Sequence, residues 1–227
     1  MPPLASNISK SFLSFGRKSD IVKEPVDLEE VLENTLLLIN EKMHLRNIEF
    51  VKVIRNKLPK VKGDPNQIEQ VLINLFQNSI DALEGARNPM IAIEIAISRN
   101  SNNVSIIFSD NGKGMDQILK SKIFDPFFTL KDVGKGTGLG LSTTHGIIKR
   151  HNGNITVSSK SGKGTLFKIS LPLAEGEENY KLDPDKEILP GNGQKVLIVD
   201  DERDVLDVLA DITTRLGYDA TAIDKPL

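Results

Sequence analysis

Two glycine-rich stretches limit what this chain can fold into more than any other feature: Asp110-Asn111-Gly112-Lys113-Gly114-Met115 and Gly134-Lys135-Gly136-Thr137-Gly138-Leu139-Gly140-Leu141-Ser142. Six of the 17 glycines lie between positions 112 and 140. Glycine at that density suits backbone that turns sharply or passes close to a ligand. The first stretch follows Val104-Ser105-Ile106-Ile107-Phe108, which reads as a strand ending at an acid. The second leads into residues 141–150, which read as a helix. A glycine loop entering a helix N-terminus offers free amide N–H groups and a positive dipole end to phosphate. An acid at a strand end, flanked by glycine, can reach a base or sugar edge. Together they point to a nucleotide pocket.

The pocket is not a Walker A loop, which needs Gly, four residues, then Gly-Lys-Ser/Thr. It is not a dinucleotide fingerprint either, because Gly136-Thr137-Gly138-Leu139-Gly140 has the wrong spacing and follows a loop. An upstream element decides. Gly63-Asp64-Pro65-Asn66-Gln67 is a helix start, with Asp64 as N-cap, Pro65 at N1 and Gln67 at N3 reaching back. Ile68, Val71, Leu72, Leu75, Phe76 and Leu83 then form a core stripe at helical spacing. Asn74 and Asn78 share a face beside that stripe, where an unpaired amide would be costly. They are either amides tied to local backbone or oxygen ligands for a Mg²⁺-nucleotide.

With these residues in view, the sequence resembles the sensor histidine kinases. Residues 74–82 (Asn74-Leu75-Phe76-Gln77-Asn78-Ser79-Ile80-Asp81-Ala82) resemble the N box, 110–115 the G1 box, and 136–141 the G2 box. Ile123-Phe124-Asp125-Pro126-Phe127-Phe128-Thr129-Leu130-Lys131 is similar to the F box. Gly162-Lys163-Gly164-Thr165-Leu166-Phe167 is similar to the last glycine turn and strand of the same domain. One such box could occur by chance; five in the family's order could not. The resemblance covers residues 27–173.

The resemblance implies an α+β fold, a two-layer sandwich of the GHKL ATPase type, with helices alternating with antiparallel strands. It implies ATP and Mg²⁺ as ligands. Asn78 would give its amide oxygen to Mg²⁺, and Asn74 would support phosphates or metal from the same face. Asp110 would accept from the adenine amino group, and Gly112, Gly114 and Met115 would form the turn beside the purine. Thr165 would complete the base pocket. Gly138, Leu139, Gly140 and Leu141 would present amides to the phosphate chain, with Gly136 and Thr137 in the same nucleotide-binding loop and Lys131 as a phosphate cation. Phe127 and Phe128 would pack a lid. Gyrase, chaperone and mismatch-repair ATPases of this fold carry a glutamate base where Asn74 stands. An amide cannot take a proton from water at neutral pH, so phosphotransfer to a histidine is implied rather than rapid hydrolysis.

That histidine is expected outside this chain. His44 lacks the flanking acid and proline of an H box; His145 lies in the helix after the G2 box; His151 ends that helix, where the dipole favours a cation. Leu4, Ile8, Phe12 and Phe15 are spaced like the tail of a dimerisation hairpin. Residues 1–24 are therefore read as hairpin end and connector, 25–173 as the ATP domain and 174–194 as an acidic linker. The linker reading rests on six acids, two lysines and two prolines between 174 and 190. Lys195-Val196-Leu197-Ile198-Val199-Asp200-Asp201 followed by Val205, Leu206, Leu209, Ile212 and Leu216 reads as a βα unit. It resembles the start of a flavodoxin-like receiver domain truncated at 227, in which Asp200 and Asp201 would bind Mg²⁺. The expected partners are a dimerisation domain, in a homodimer, and a receiver or response regulator.

Composition narrows the alternatives. Basic residues number 29 against 31 acidic, so bulk charge suggests neither nucleic acid nor an anionic membrane as partner. With no cysteine, disulfides, thiolate metal sites and cysteine nucleophiles are excluded. No apolar run approaches a membrane span, and residues 1–4 lack the features of a signal peptide, so a cytoplasmic protein or segment is expected. Two other readings remain: a Mg²⁺-dependent ATPase of the same fold, and a non-catalytic nucleotide-binding module.

Overall fold

The computed structural model describes residues 23–54, 57–98, 102–129, 136–177, 191–199, 206, 210, 213–214 and 217–223. The chain divides into two compact units, Met1–Tyr180 and Lys181–Leu227.

The first unit opens with β1 (Glu24–Val26), helix α1 (Leu28–Leu45), β2 (Glu49–Ile54), β3 (Val61–Gly63) and helix α2 (Pro65–Ala82). The hairpin β4 (Met90–Ile97) and β5 (Asn103–Asp110) follows, then the short α3 (Gln117–Lys122) and helix α4 (Gly140–Arg150). The hairpin β6 (Asn154–Ser159) and β7 (Thr165–Pro172) completes it. Asp27 caps α1 by accepting from the N–H groups of Glu29 and Glu30. Asp64 caps α2 by accepting from Asn66 and Gln67. Pro65 sits at the first helical position, where its missing N–H costs nothing. Gln67 does reach back, but its Nε2 donates to the Asp64 carboxylate at 3.0 Å rather than meeting the cap N–H.

Five strands form one sheet in the order β2-β4-β5-β7-β6. Its two hairpins, β4–β5 and β6–β7, and the β5–β7 contact are antiparallel, as expected, but β2 runs parallel to β4. The sheet is therefore mixed, which corrects the expectation of antiparallel strands throughout. A parallel neighbour needs a crossover connection, and β3 with α2 supplies it. A second, two-stranded sheet pairs β1 with β3, Val26 opposite Val61. Val26, just before the cap of α1, is buried in the same core as Val31.

Apolar residues alternate along β4, β5 and β7, so one face is buried. Ile93, Phe108 and Phe167 share one cross-strand row, and Ile95, Ile106 and Ile169 the next. The stripes of α1 (Leu32, Leu36, Ile39) and α2 (Ile68, Leu72, Leu75, Phe76) cover that face. Phe76 meets Phe108 edge-on at 4.9 Å and 89°, an arrangement that adds about 0.5–1.5 kcal/mol beyond area burial. The packed body passes the end of β7: Ala174 is buried and its N–H donates to the Lys60 carbonyl at 2.9 Å.

His151 is a structural residue, fully buried at the C-terminal end of α4. Its Nδ1 lies 2.8 Å from the Ile147 carbonyl, which can only accept, so Nδ1 carries the proton. Nε2 therefore accepts, and takes the Asp64 N–H at 2.9 Å. The ring ties the end of α4 to the start of α2, across 87 residues of sequence. Gly63 makes room for it, since a Cβ there would lie 2.9 Å from the His151 ring. Burial lowers the imidazole's pKa below its ordinary 6.5, with Lys23 and Arg150 pushing the same way and Asp64 and the Ile147 carbonyl opposing. The unfolded chain thus binds a proton that the native state refuses. Stability from this site is present above pH 6.5 and is lost as pH falls below it. Urea unfolding at pH 7.5 and 5.5 tests this: the wild type should lose more stability on acidification than His151→Gln, and equal losses would exclude a buried neutral ring.

In the second unit, β8 (Lys195–Val199) pairs in parallel with β9 (Asp219–Ile223), Lys195 opposite Asp219. Leu206, Ala210, Thr213 and Thr214 between them are helical, and Leu206 is buried. Asp200, Asp201, Val205, Leu209, Ile212 and Leu216 lie outside the described residues, as do Leu4, Ile8, Phe12 and Phe15. No described helix is long and apolar enough to cross a membrane.

Candidate functional site

The buried rows of the sheet change character at one end. After two rows of isoleucine and phenylalanine, the last row across β5, β7 and β6 is Asp110, Thr165 and Ser159. All three point toward the helical layer, because register partners share a face. The Asp110 Oδ2 accepts from the Ser79 hydroxyl at 2.7 Å, and Oδ1 from the Gly112 N–H at 2.9 Å. Burial raises this carboxyl above its ordinary 3.8, while the bonds from Ser79, Gly112 and the Thr165 backbone oppose the rise.

Glycine shapes this end by close approach. A Cβ on Gly112 would stand 2.7 Å from the Ala82 carbonyl oxygen. One on Gly114 (φ +60°) would stand 2.0 Å from the Lys160 oxygen. The turn at 112–115 and the β6–β7 turn thus interlock, with the Gly162 N–H bonded to the Lys113 carbonyl at 2.8 Å. Met115 donates its N–H to Ser159 and packs against the core. Asn111 ties the same turn to the start of β4 through Met90 and Asn88.

The other end is the start of α4. Asp27, Asp64 and Asp116 cap α1, α2 and α3, whereas α4 has no side-chain cap among the described residues. Its first intrahelical bond is from the Thr143 N–H to the Leu139 carbonyl. The N–H groups of Gly140, Leu141 and Ser142 precede that bond and are left for an anion. Thr137 accepts the Leu139 N–H at 3.4 Å, and Gly136 begins the described part of this loop. Gly138 (φ +66°) lies against the Phe127 backbone, with a would-be Cβ 2.4 Å from the Phe127 carbon. Phe127 is 61% exposed, and the rest of the expected lid, residues 130–135, lies outside the described residues. The Phe124 ring lies 5.1 Å from that of His145.

Helix α2 joins the two ends. Asn74 Nδ2 donates to the Gly140 carbonyl at 3.0 Å and to the Thr144 hydroxyl at 3.3 Å, while Asn74 Oδ1 accepts from Gln70. Both ends of this amide are engaged by protein, and it fixes where α4 begins. Asn78, one turn on, is half-buried and makes no side-chain hydrogen bond to the described residues. Ser79 holds Asp110, and the Ala82 carbonyl accepts from Lys113. From Asn74 to Ala82 the helix rises about 12 Å. One rigid rod therefore sets the spacing between an anion-accepting helix start and a buried acceptor row. Lys131, Asp200 and Asp201 lie outside the described residues. Among the described residues no group of three or more His, Asp or Glu could cage a metal.

Sequence reasoning missed Ser79 and Ser159. Ser79 adjoins Asn78, and Ser159 ends the alternation Ile155, Val157, Ser159. A polar residue at the end of a core-facing alternation was the available signal.

The profile of the histidine kinase-, DNA gyrase B-, and HSP90-like ATPases matches residues 63–175. Sporulation kinase E of Bacillus subtilis (strain 168) is 31% identical over 177 residues, 78% of this chain and 23% of that protein. The chain thus spans under a quarter of that relative. A crystal structure of the catalytic domain of histidine kinase ThkA is 34% identical with a TM-score of 0.59, covering 66% of this chain and 95% of that one. Histidine kinase ThkA in complex with response regulator protein TrrA is 29% identical with a TM-score of 0.61, covering 75% of this chain and 47% of that one.

Proposed function

Because the chain belongs to the histidine kinase-, DNA gyrase B-, and HSP90-like ATPase family, as the ATP-binding catalytic domain of a two-component sensor histidine kinase, we propose that it transfers the γ-phosphoryl group of Mg²⁺-ATP to a histidine outside residues 1–227. The observation that carries this is the alignment along α2 of an uncapped helix start, a free amide and a buried acceptor row. Adenine sits at the Asp110 row, its amino group donating to the carboxylate, with Thr165 beside it. Gly112, Gly114 and Met115 form the wall at the base, where any larger side chain would collide with backbone. Phosphates take the N–H groups of Gly138, Gly140 and Leu141, and that of Leu139 in exchange for its long contact with Thr137, with Gly136, Thr137 and Lys131 completing that loop.

The residues fit a divalent cation held jointly with phosphates. Mg²⁺ takes few protein ligands and prefers to share substrate oxygens, and the Asn78 amide oxygen has no partner among the described residues. The cation would neutralise phosphate charge. Asn74 acts by placing the start of α4, and as an amide it activates no water. Catalysis is then positioning plus electrostatic stabilisation, with the acceptor supplied from elsewhere.

None of the chain's own histidines suits that acceptor. His151 is buried, His145 lies against Phe124, and His44 ends α1 without an H-box context. The acceptor belongs to a dimerisation hairpin, in a homodimer, and the phosphoryl passes on to a receiver aspartate. The complex of ThkA with TrrA supports a response regulator as partner. The parallel β8–β9 pair with helical residues between supports reading the second unit as the start of a receiver, which makes the protein a hybrid kinase. Asp200 and Asp201 are its proposed Mg²⁺ ligands.

Calorimetry tests the pocket. Asp110→Ala removes a charge-assisted bond worth roughly 1.5–3 kcal/mol, so ATP affinity should fall about 10- to 100-fold. The wild type should prefer ATP to GTP. Equal affinities for the two would sink the assignment.

A further inference from the structure

Ser159 lies outside all five motifs, yet its hydroxyl meets three groups at once. The Met115 N–H donates to it at 2.9 Å, the Gly164 carbonyl oxygen lies at 2.9 Å, and the Thr165 Oγ1 at 3.1 Å. A hydroxyl has one proton and two lone pairs. A carbonyl only accepts, so the Ser159 proton goes to Gly164. An amide N–H only donates, so Met115 takes one lone pair. The assignment that satisfies all three contacts has Thr165 donating its proton to the remaining lone pair. Thr165 is buried, and its proton is thereby committed away from the base. What its Oγ1 turns toward the end of the sheet is lone pairs alone. Asp110, its register partner, is also an acceptor, with Ser79 and Gly112 already donating to it.

We propose that Ser159 is a positioning residue for base selection. By holding the Thr165 proton it makes the Asp110–Thr165 edge accept at the exocyclic 6-position, which suits a 6-amino group and opposes a 6-keto oxygen there. This rests on the reading of Asp110 and Thr165 as the adenine site. Without Ser159 the Thr165 hydroxyl can rotate and donate, and a keto oxygen becomes tolerable. The same hydroxyl also bridges the 112–115 turn to Gly164, so loss of affinity alone would not separate selection from scaffolding. The ratio of two nucleotides does.

The experiment measures Kd for Mg²⁺-ATP and Mg²⁺-ITP on the full chain by calorimetry. ITP replaces the 6-amino group by a keto oxygen and adds no 2-amino group. In Ser159→Ala the preference for ATP over ITP should shrink about three- to ten-fold, the worth of one neutral hydrogen bond. Ser159→Thr, which keeps the hydroxyl, should restore it. Ser159→Cys, a weak acceptor of similar volume, should shift it in the same direction as alanine and serves if the alanine variant does not fold. In a Thr165→Val background, Ser159→Ala should change the ratio no further. The proposal is overturned if both nucleotides weaken equally in Ser159→Ala, or if the shift persists without the Thr165 hydroxyl. A wild type that binds ITP as well as ATP, or binds neither, would count instead against the adenine reading itself.

Discussion

Asn78→Ala should cut phosphorylation of a histidine-bearing dimerisation hairpin, supplied as a separate polypeptide with labelled ATP, by roughly 100-fold or more. The wild-type reaction will itself be weak, because a covalent link that raises effective concentration is missing. The large effect follows from where Asn78 sits. Its neighbours on α2 are all spoken for: Asn74 by Gly140 and Thr144, Ser79 by Asp110. Asn78 alone on that face has an amide without a protein partner among the described residues. Removing it should leave both ends of the pocket assembled and take away only the protein's hold on the cation. Adenosine should therefore still bind Asn78→Ala with unchanged affinity, while ATP loses its dependence on Mg²⁺. Undiminished hairpin labelling by a folded Asn78→Ala protein would refute the assignment, as would wild-type labelling of His44, His145 or His151.

The contrast between Asn74 and Asn78 shows what sequence could and could not supply. Four-residue spacing put both amides on one face, and that is where they are. Spacing along one helix could not say that Asn74 faces α4 across 66 residues of sequence. The same holds elsewhere. The cap Asp64 was legible because capping is local. The bond from Asp64 to His151 was not, because its partner is 87 residues away. The strand that ends at Asp110 and the glycine turn that leads into β7 were legible from apolar runs and turn residues. The parallel β2–β4 pair was not, since strand alternation carries no direction. Asp110 was found through its glycines. Ser79 and Ser159, which orient the pocket's acceptors, are ordinary serines until register brings them beside Asp110 and Thr165.

Gly164→Ala should be among the most destabilising single substitutions in the chain, by about 2–4 kcal/mol. Two costs add. The residue has φ +81°, a region that disfavours any Cβ. The new Cβ would also stand 2.0 Å from the Asp110 carbonyl oxygen and 2.9 Å from the Asn111 Cα. Neither atom belongs to a flexible side chain, so the backbone of β5 must move. That movement strikes the residue whose carboxylate defines the base end, and the Gly164 carbonyl that fixes the Ser159 proton. Nucleotide affinity should therefore fall even at temperatures where the variant is still folded. Gly162, two residues away, separates the two costs. It has φ +75° but nothing within 4 Å of a would-be Cβ. Gly162→Ala should lose only the backbone term, about 1–2 kcal/mol, and keep its affinity for ATP. Thermal unfolding of the two variants side by side, with and without nucleotide, decides the matter. If both lose the same stability and both bind ATP normally, the close approach of the β6–β7 turn to Asp110 does not shape the site.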